Sequence, residues 1–253
     1  MSAGRVCLIL LAAIATVGAT SRPSRDDPPE YVATRTGTAI KIDGALDDAS
    51  WQDAAWTEDF IDIEGTHKPV PPLRTRAKIV WDEANLYVAA EMAEPRVWAT
   101  MTRRDEPLYK EQAFELFLDP DGDGRNYLEL QVNPRNTVCD LVMDKPYRDR
   151  GRADEAINLE GLRSAVRVDV DKGWTLEMAI PWAALKRLGR ESAAPKPDER
   201  WRVNLARMRK DAPDVKSPLP RGLWVWSSQG AVNMHLPERW GSVTFSATTR
   251  PAN

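Results

Sequence analysis

The sequence predicts an all-β protein, an antiparallel β-sandwich with one or two short helices. Three observations carry the prediction: short runs that alternate apolar and polar residues, turn formers between them, and no strand–helix–strand rhythm of the kind a parallel sheet requires. The runs lie at 76–82, 86–93, 113–119, 127–133, 137–143, 165–170, 174–180, 201–208 and 241–246. Successive strand side chains point to opposite faces. In 127–133 this puts Leu128, Leu130 and Val132 on one face and Tyr127, Glu129, Gln131 and Asn133 on the other. Asp82 to Asn85, Asp121 to Gly124 and Asp171 to Gly173 read as the hairpin turns between neighbours. Asp47 and Asp48 precede a brief helical pattern through Ala54, and Pro181 opens another that runs to Leu188. Residues 189–200 and 211–222, rich in proline and charge, read as loops within one domain.

The first 19 residues read as a secretory signal. Arg5 precedes an apolar run from Val6 to Val17, shorter than the ~20 residues that a membrane-spanning helix needs, and small residues then lead to a cleavage point near Thr20. Residues 20–30 read as a flexible leader, and 31–248 as a single domain. The expected location is secreted or periplasmic, with no membrane contact once the signal is removed. Thirty-five basic residues against 38 acidic ones give a net charge of -3, which provides no basic field for nucleic acid. Past the signal only Cys139 remains, so a disulfide framework and a Cys/His zinc cage are both excluded, and a buried, inert thiol is the expectation.

Few residues suggest chemistry. Asp119, Asp121 and Asp123 place acidic oxygens at alternate positions, as a calcium loop does, but the twelfth position is Leu130, so an EF-hand is excluded. The remaining readings are a different calcium site and a plain Asp-Gly hairpin; no other cofactor is expected. A haem held by His and Met would draw on the adjacent Met234 and His235 and on Met101, but no CxxCH attachment signal is present. A glycosidase needs two carboxylates at a set separation, which sequence does not give; Glu111, Glu115 and Glu177 are the buried acids on offer. The chain has ten Trp against five Tyr and four Phe. Trp81, Trp174 and Trp201 occupy strand positions and read as core, while Trp51 and Trp56 read as covering one end of the sandwich. Trp98, Trp224 and Trp226 lie in or beside loops, where large amphipathic rings suit a sugar platform.

Several segments in order resemble the stand-alone proteins similar to carbohydrate-binding module family 9. They are Ile42 to Trp51, Thr75 to Asp82 with Leu86 to Glu91, Phe114 to Asp123, Asp144 to Asp149, Ala179 to Trp182 and Val232 to Gly241. The resemblance covers about 38–246 and implies a DOMON-like, jelly-roll type sandwich that binds oligosaccharide or polysaccharide in support of polysaccharide catabolism without catalysing. It further implies two aromatic rings clamping a glycan, polar side chains on its hydroxyls, and calcium supporting the fold. Carried over by position, Tyr109 and Trp226 are the expected clamp, with Trp224 and Trp98 as further rings, and Glu115, Asn133 and Arg135 as the groups that bind hydroxyls. Asp119, Asp121 and Asp123 are the expected calcium ligands. Glu111, Gln112 and Ala113 depart from the family pattern by one carboxylate, and Cys139 stands where relatives often carry Trp. Two alternatives accompany this reading: a glycoside hydrolase using a carboxylate pair that includes Glu115, and a haem-binding electron-transfer module of the DOMON type.

Overall fold

The computed structural model describes residues 26–155, 157–188, 194–215 and 219–248. The signal segment and the first part of the leader lie outside these residues. Thirteen strands are described: β1 (Glu30–Arg35), β2 (Ile61–Asp62), β3 (Thr75–Trp81), β4 (Asn85–Ala93), β5 (Ala113–Asp119), β6 (Tyr127–Val132), β7 (Val138–Met143), β8 (Ala153–Asp154), β9 (Arg163–Asp169), β10 (Gly173–Pro181), β11 (Arg200–Arg209), β12 (Gly222–Val225) and β13 (Gly241–Ser246). All nine alternating runs are strands. The first helical pattern is α1 (Ala49–Asp53), and the second is a 3-10 turn over Trp182–Leu188, with Pro181 ending β10 instead of opening a helix.

The strands are hydrogen-bonded in the order β8-β7-β6-β5-β11-β13-β1-β3-β4-β10-β9, and β12 joins β11 to β2. Side chains from both ends of this order meet in one core: Leu128 and Leu130 of β6, Leu116 of β5, Val88 of β4, Leu176 and Met178 of β10. The sheet therefore folds over on itself, and its two halves pack as a sandwich. Near its middle Trp201 packs edge-on against Phe245, ring centroids 4.8 Å apart, and Trp182 packs on both. Two pairings, both of β1, depart from the antiparallel expectation. β1 runs parallel to β13, from Glu30 opposite Ser242 to Thr34 opposite Ser246, and parallel to β3. The end of the expected leader is already tied into the fold: Asp26 accepts from the Thr66 amide and hydroxyl, and the Pro29 carbonyl accepts from the Ser242 amide.

The outer faces of the two halves differ. Over β3, β4 and β10 lies the segment from Ile40 to Ala54, which buries Ile40, Trp51 and Ala54 against Val80, Tyr87, Ala89 and Ala179. Glu177 anchors it. Its carboxylate accepts from Trp51 Nε1 at 2.6 Å and from the Asp43 and Gly44 amides at 2.9 and 2.7 Å. Gly44 is obligatory at this point, because its φ is +83° and a Cβ would lie 2.8 Å from the Arg167 nitrogen. Among the described residues no helix is long and apolar enough to cross a membrane.

Candidate functional site

On the other half, β5, β6, β7 and β11 turn their second set of side chains away from the core. Register fixes the rows: Ala206, Glu115, Gln131 and Cys139 form one, and Asn204, Phe117, Glu129 and Leu141 the next. Alternation on β6 suggests a half-exposed outer face, yet every residue of that strand is buried. The polar face of 127–133 is thus covered from above, and the covering residues form the site.

Tyr109 lies in a 3-10 turn, Leu108–Lys110, pinned by Leu108, which packs on Ala113 and Cys139. Its backbone amide donates to Gln131 Oε1 at 3.1 Å, and its carbonyl accepts from Lys210 Nζ at 2.7 Å. The ring, 47% exposed, is flanked by the ammonium groups of Lys110 and Lys210 at 5.8 and 6.0 Å from its centroid. Across the site stands Tyr147, 53% exposed, in the 3-10 turn Tyr147–Asp149. Its ring meets that of His235 edge-on, centroids 4.6 Å apart. Burial raises the Tyr147 hydroxyl's pKa, and the charges of Glu129, Glu155 and Tyr109 add to this. Tyr109 and Tyr147 are the exposed aromatic rings among the described residues.

The base between them is acidic. Glu129 accepts from Gln131 Nε2 at 2.5 Å. Glu115 is 3% exposed, and among the described residues its carboxylate makes no hydrogen bond. Burial pushes both carboxyls up, Glu115 to about 8 and Glu129 to about 7; Glu129 adds to the rise at Glu115, and Lys210 opposes it. His235 lies beside this pair, Nε2 3.7 Å from Glu129 and Nδ1 2.9 Å from the Tyr127 hydroxyl. Burial lowers its pKa to about 4, so the imidazole is neutral. The site can therefore offer two faces of aromatic carbon around a polar floor that holds a carboxyl group without a hydrogen bond from the described residues.

The expected residues scatter. Tyr109 and Glu115 come together here. Trp224 and Trp226 do not: both point into the sandwich core, Trp226 being 5% exposed and packed on Gly241, where a Cβ would lie 2.7 Å from the ring. The cause is register, since Trp224 pairs with Arg207, whose guanidinium stacks on its ring from the inner face. Asn133 is fully buried and fully used, donating to the Met101 carbonyl and Glu111 and accepting from the Arg135 and Thr137 amides. It holds the loop that carries Tyr109 and has no group left for a hydroxyl. Arg135 is exposed on the turn after β6, in a shallow groove with Thr102 and Arg104. Trp98 is half-buried, its amide facing Gln112 Oε1 at 3.3 Å. Glu111 accepts from Thr100 and Met101, and Glu177 is committed as described above, so neither is a free acid. Cys139 is buried with its thiol pKa pushed up to about 12 by burial, an inert thiol.

Sequence reasoning missed Glu129, Gln131, Tyr147, His235 and Lys210. For the first two the signal was present in the polar alternation of 127–133. Tyr147 and His235 sit in turns without periodicity, and only the fold brings them to the strands.

In the β5–β6 turn, ligand oxygens of Asp119, Asp121 and Asp123 lie within 4.8 Å of one another. Both Asp119 oxygens accept turn amides, from Gly122 and Gly124, and burial raises its pKa to about 6. Three carboxylates converging on one point are hard-oxygen donors of the kind calcium takes.

Comparison with known proteins agrees with the architecture. The family profile described as carbohydrate family 9 binding domain-like matches residues 42–248. The exoglucanase XynX of Acetivibrio thermocellus is 26% identical over 163 residues, which are 63% of this chain and 13% of that protein. A carbohydrate binding module family 9 from Caldicellulosiruptor kristjanssonii, solved in complex with cellotriose, superposes with a TM-score of 0.60 at 18% identity, covering 88% of this chain and 97% of that one. Its complex with glucose gives the same score and identity, over 88% and 99%.

Proposed function

Because the chain belongs to the carbohydrate family 9 binding domain-like family, we propose that it is a secreted, non-catalytic carbohydrate-binding protein that holds a saccharide between Tyr109 and Tyr147. The observation that carries this reading is the pair of exposed tyrosines, Tyr109 and Tyr147, beside a floor of nearly buried polar side chains, Glu115, Glu129 and Gln131. Sugar C–H faces suit the tyrosine rings, and sugar hydroxyls suit Glu115, Glu129 and Gln131. The neighbours of this fold bound to cellotriose and glucose support a gluco-oligosaccharide as the first candidate. The apolar run after Arg5 supports export, and the exoglucanase relative supports a role beside polysaccharide breakdown.

Binding is favoured over hydrolysis by the family, which is described as a binding domain. A haem reading is disfavoured because His235 is engaged with Tyr127 and Met234 packs in a cluster with Trp240. Asp119, Asp121 and Asp123 are the residues that would hold calcium, which would stiffen the β5–β6 turn.

Calorimetric titration of the full chain with cellotriose and related neutral oligosaccharides tests the proposal. Tyr109→Ala and Tyr147→Ala should each weaken binding at least tenfold, about 1.4 kcal/mol, with unchanged unfolding temperature. Flat titrations across such oligosaccharides, or variants that bind as the parent does, would sink it.

A further inference from the structure

The opposite half of the sandwich carries a second built groove. Its floor is a cross-strand row on the outer face: Arg76 of β3 opposite Glu91 of β4, Glu91 opposite Thr175 of β10, Thr175 opposite Arg167 of β9. Beside this row Ala93 faces Gly173, where a Cβ would lie 2.0 Å from the Met92 carbonyl oxygen, so the floor is bare of side chain there. Residues 44–47 form one wall and the half-buried indole of Trp56 another, together enclosing about 600 Å³. That volume is typical of small-molecule sites, about 300–1,000 Å³.

The charged side chains of the groove pair unevenly. Glu91 serves two guanidinium groups, Arg74 at 2.9 Å and Arg76 at 2.7 Å. Asp169 is matched by Lys172 at 2.8 Å. The groove is lined by as many acids, Asp47, Glu91 and Asp169, as bases, Arg74, Arg167 and Lys172, and Arg167 is the lining guanidinium that has no direct ion pair among the described residues. Arg76 and Lys78 pack against Trp56 at 4.1 and 4.5 Å from its centroid, which fixes the ring as a rigid wall. A guanidinium fork matches a carboxylate bidentately, an indole face takes a pyranose C–H face, and Glu91 and Thr175 accept from hydroxyls.

We propose that this groove is a second saccharide site that takes a uronic-acid-bearing oligosaccharide, its carboxylate on Arg167 and a sugar ring on Trp56. It is independent of the tyrosine site and stands whether or not that site binds sugar.

The test is titration of the full chain with trigalacturonate, followed by calorimetry and by the indole N–H signals in heteronuclear spectra. One site is expected. Arg167→Ala and Trp56→Ala should each weaken it at least tenfold, rising salt should weaken it, and Tyr109→Ala should leave it unchanged. Arg167 is exposed, so its variant tests the site even if Trp56→Ala unfolds. No binding of trigalacturonate, binding insensitive to Arg167→Ala, or binding abolished by Tyr109→Ala would overturn the proposal.

Discussion

Glu115 and Glu177 occupy equivalent places on the two halves of the sandwich: each lies on a central strand, on the face turned away from the core, and each is buried. Glu177 receives three donors from the segment that covers it, whereas Glu115 receives none from the described residues. Burial raises both carboxyls, and hydrogen bonds from Trp51, Asp43 and Gly44 oppose the rise at Glu177. The difference teaches that burial of an acid does not distinguish framework from site. What distinguishes them is whether the protein itself completes the hydrogen bonding.

The largest effect that sharpens this contrast is expected at the tryptophans. Trp226→Ala should lower stability by about 3–5 kcal/mol, the cost of emptying a core site, measured by urea unfolding; a drop in sugar affinity at unchanged stability would return Trp226 to the ligand. Next comes Glu177→Gln, which sets an amide against donors that need an acceptor. A loss of about 1–3 kcal/mol is expected, seen as a lower unfolding midpoint, and a neutral result would break the comparison from the framework side.

Glu115→Gln should act in the opposite sense, increasingly as pH rises above about 4.5. The folded pKa of about 8 lies above the ordinary 4.5, so the stability that protonated Glu115 contributes is complete below about 4.5 and is lost as pH rises to about 8. At pH 5 the variant should unfold with the parent; at pH 9 it should be more stable by about 1.4 kcal/mol or more, the equivalent of at least one pKa unit. Equal midpoints at pH 9 would show that the Glu115 carboxyl is already satisfied. The smallest effect is at the β5–β6 turn. Calcium at a few times its dissociation constant should stabilise the parent by about 1 kcal/mol, and Asp123→Asn should abolish the gain. Unfolding curves that overlay in calcium and in chelator would remove calcium from the turn.

Much of the fold was legible because alternation reports a strand directly. The nine runs, the hairpin turns and the core roles of Trp81, Trp174 and Trp201 follow from it. β1 was not legible: its parallel partners, β13 and β3, come from distant parts of the chain, and such pairing leaves no local pattern. The site was half legible. Glu115 stands on the outward face that the spacing in 113–119 gives it, and Tyr109 sits beside it. Trp224 and Trp226 alternate as an outward pair would, but β12 lies on β11 in a register that turns them inward. Asn133 looks like a hydroxyl donor in the sequence and is spent on the loop in the fold.

The sequence by itself determined which residues form strands and which side chains share a face, because a period of two is a property of the backbone and needs no partner. Only the tertiary structure decided which outer face is closed by its own chain and which is left with an unmatched carboxyl beneath two exposed tyrosines. Local patterning is the same on both halves; the difference is made by segments remote in sequence, 40–54 over one sheet and the turns at 109 and 147 over the other, and by whether their donors reach the buried acid.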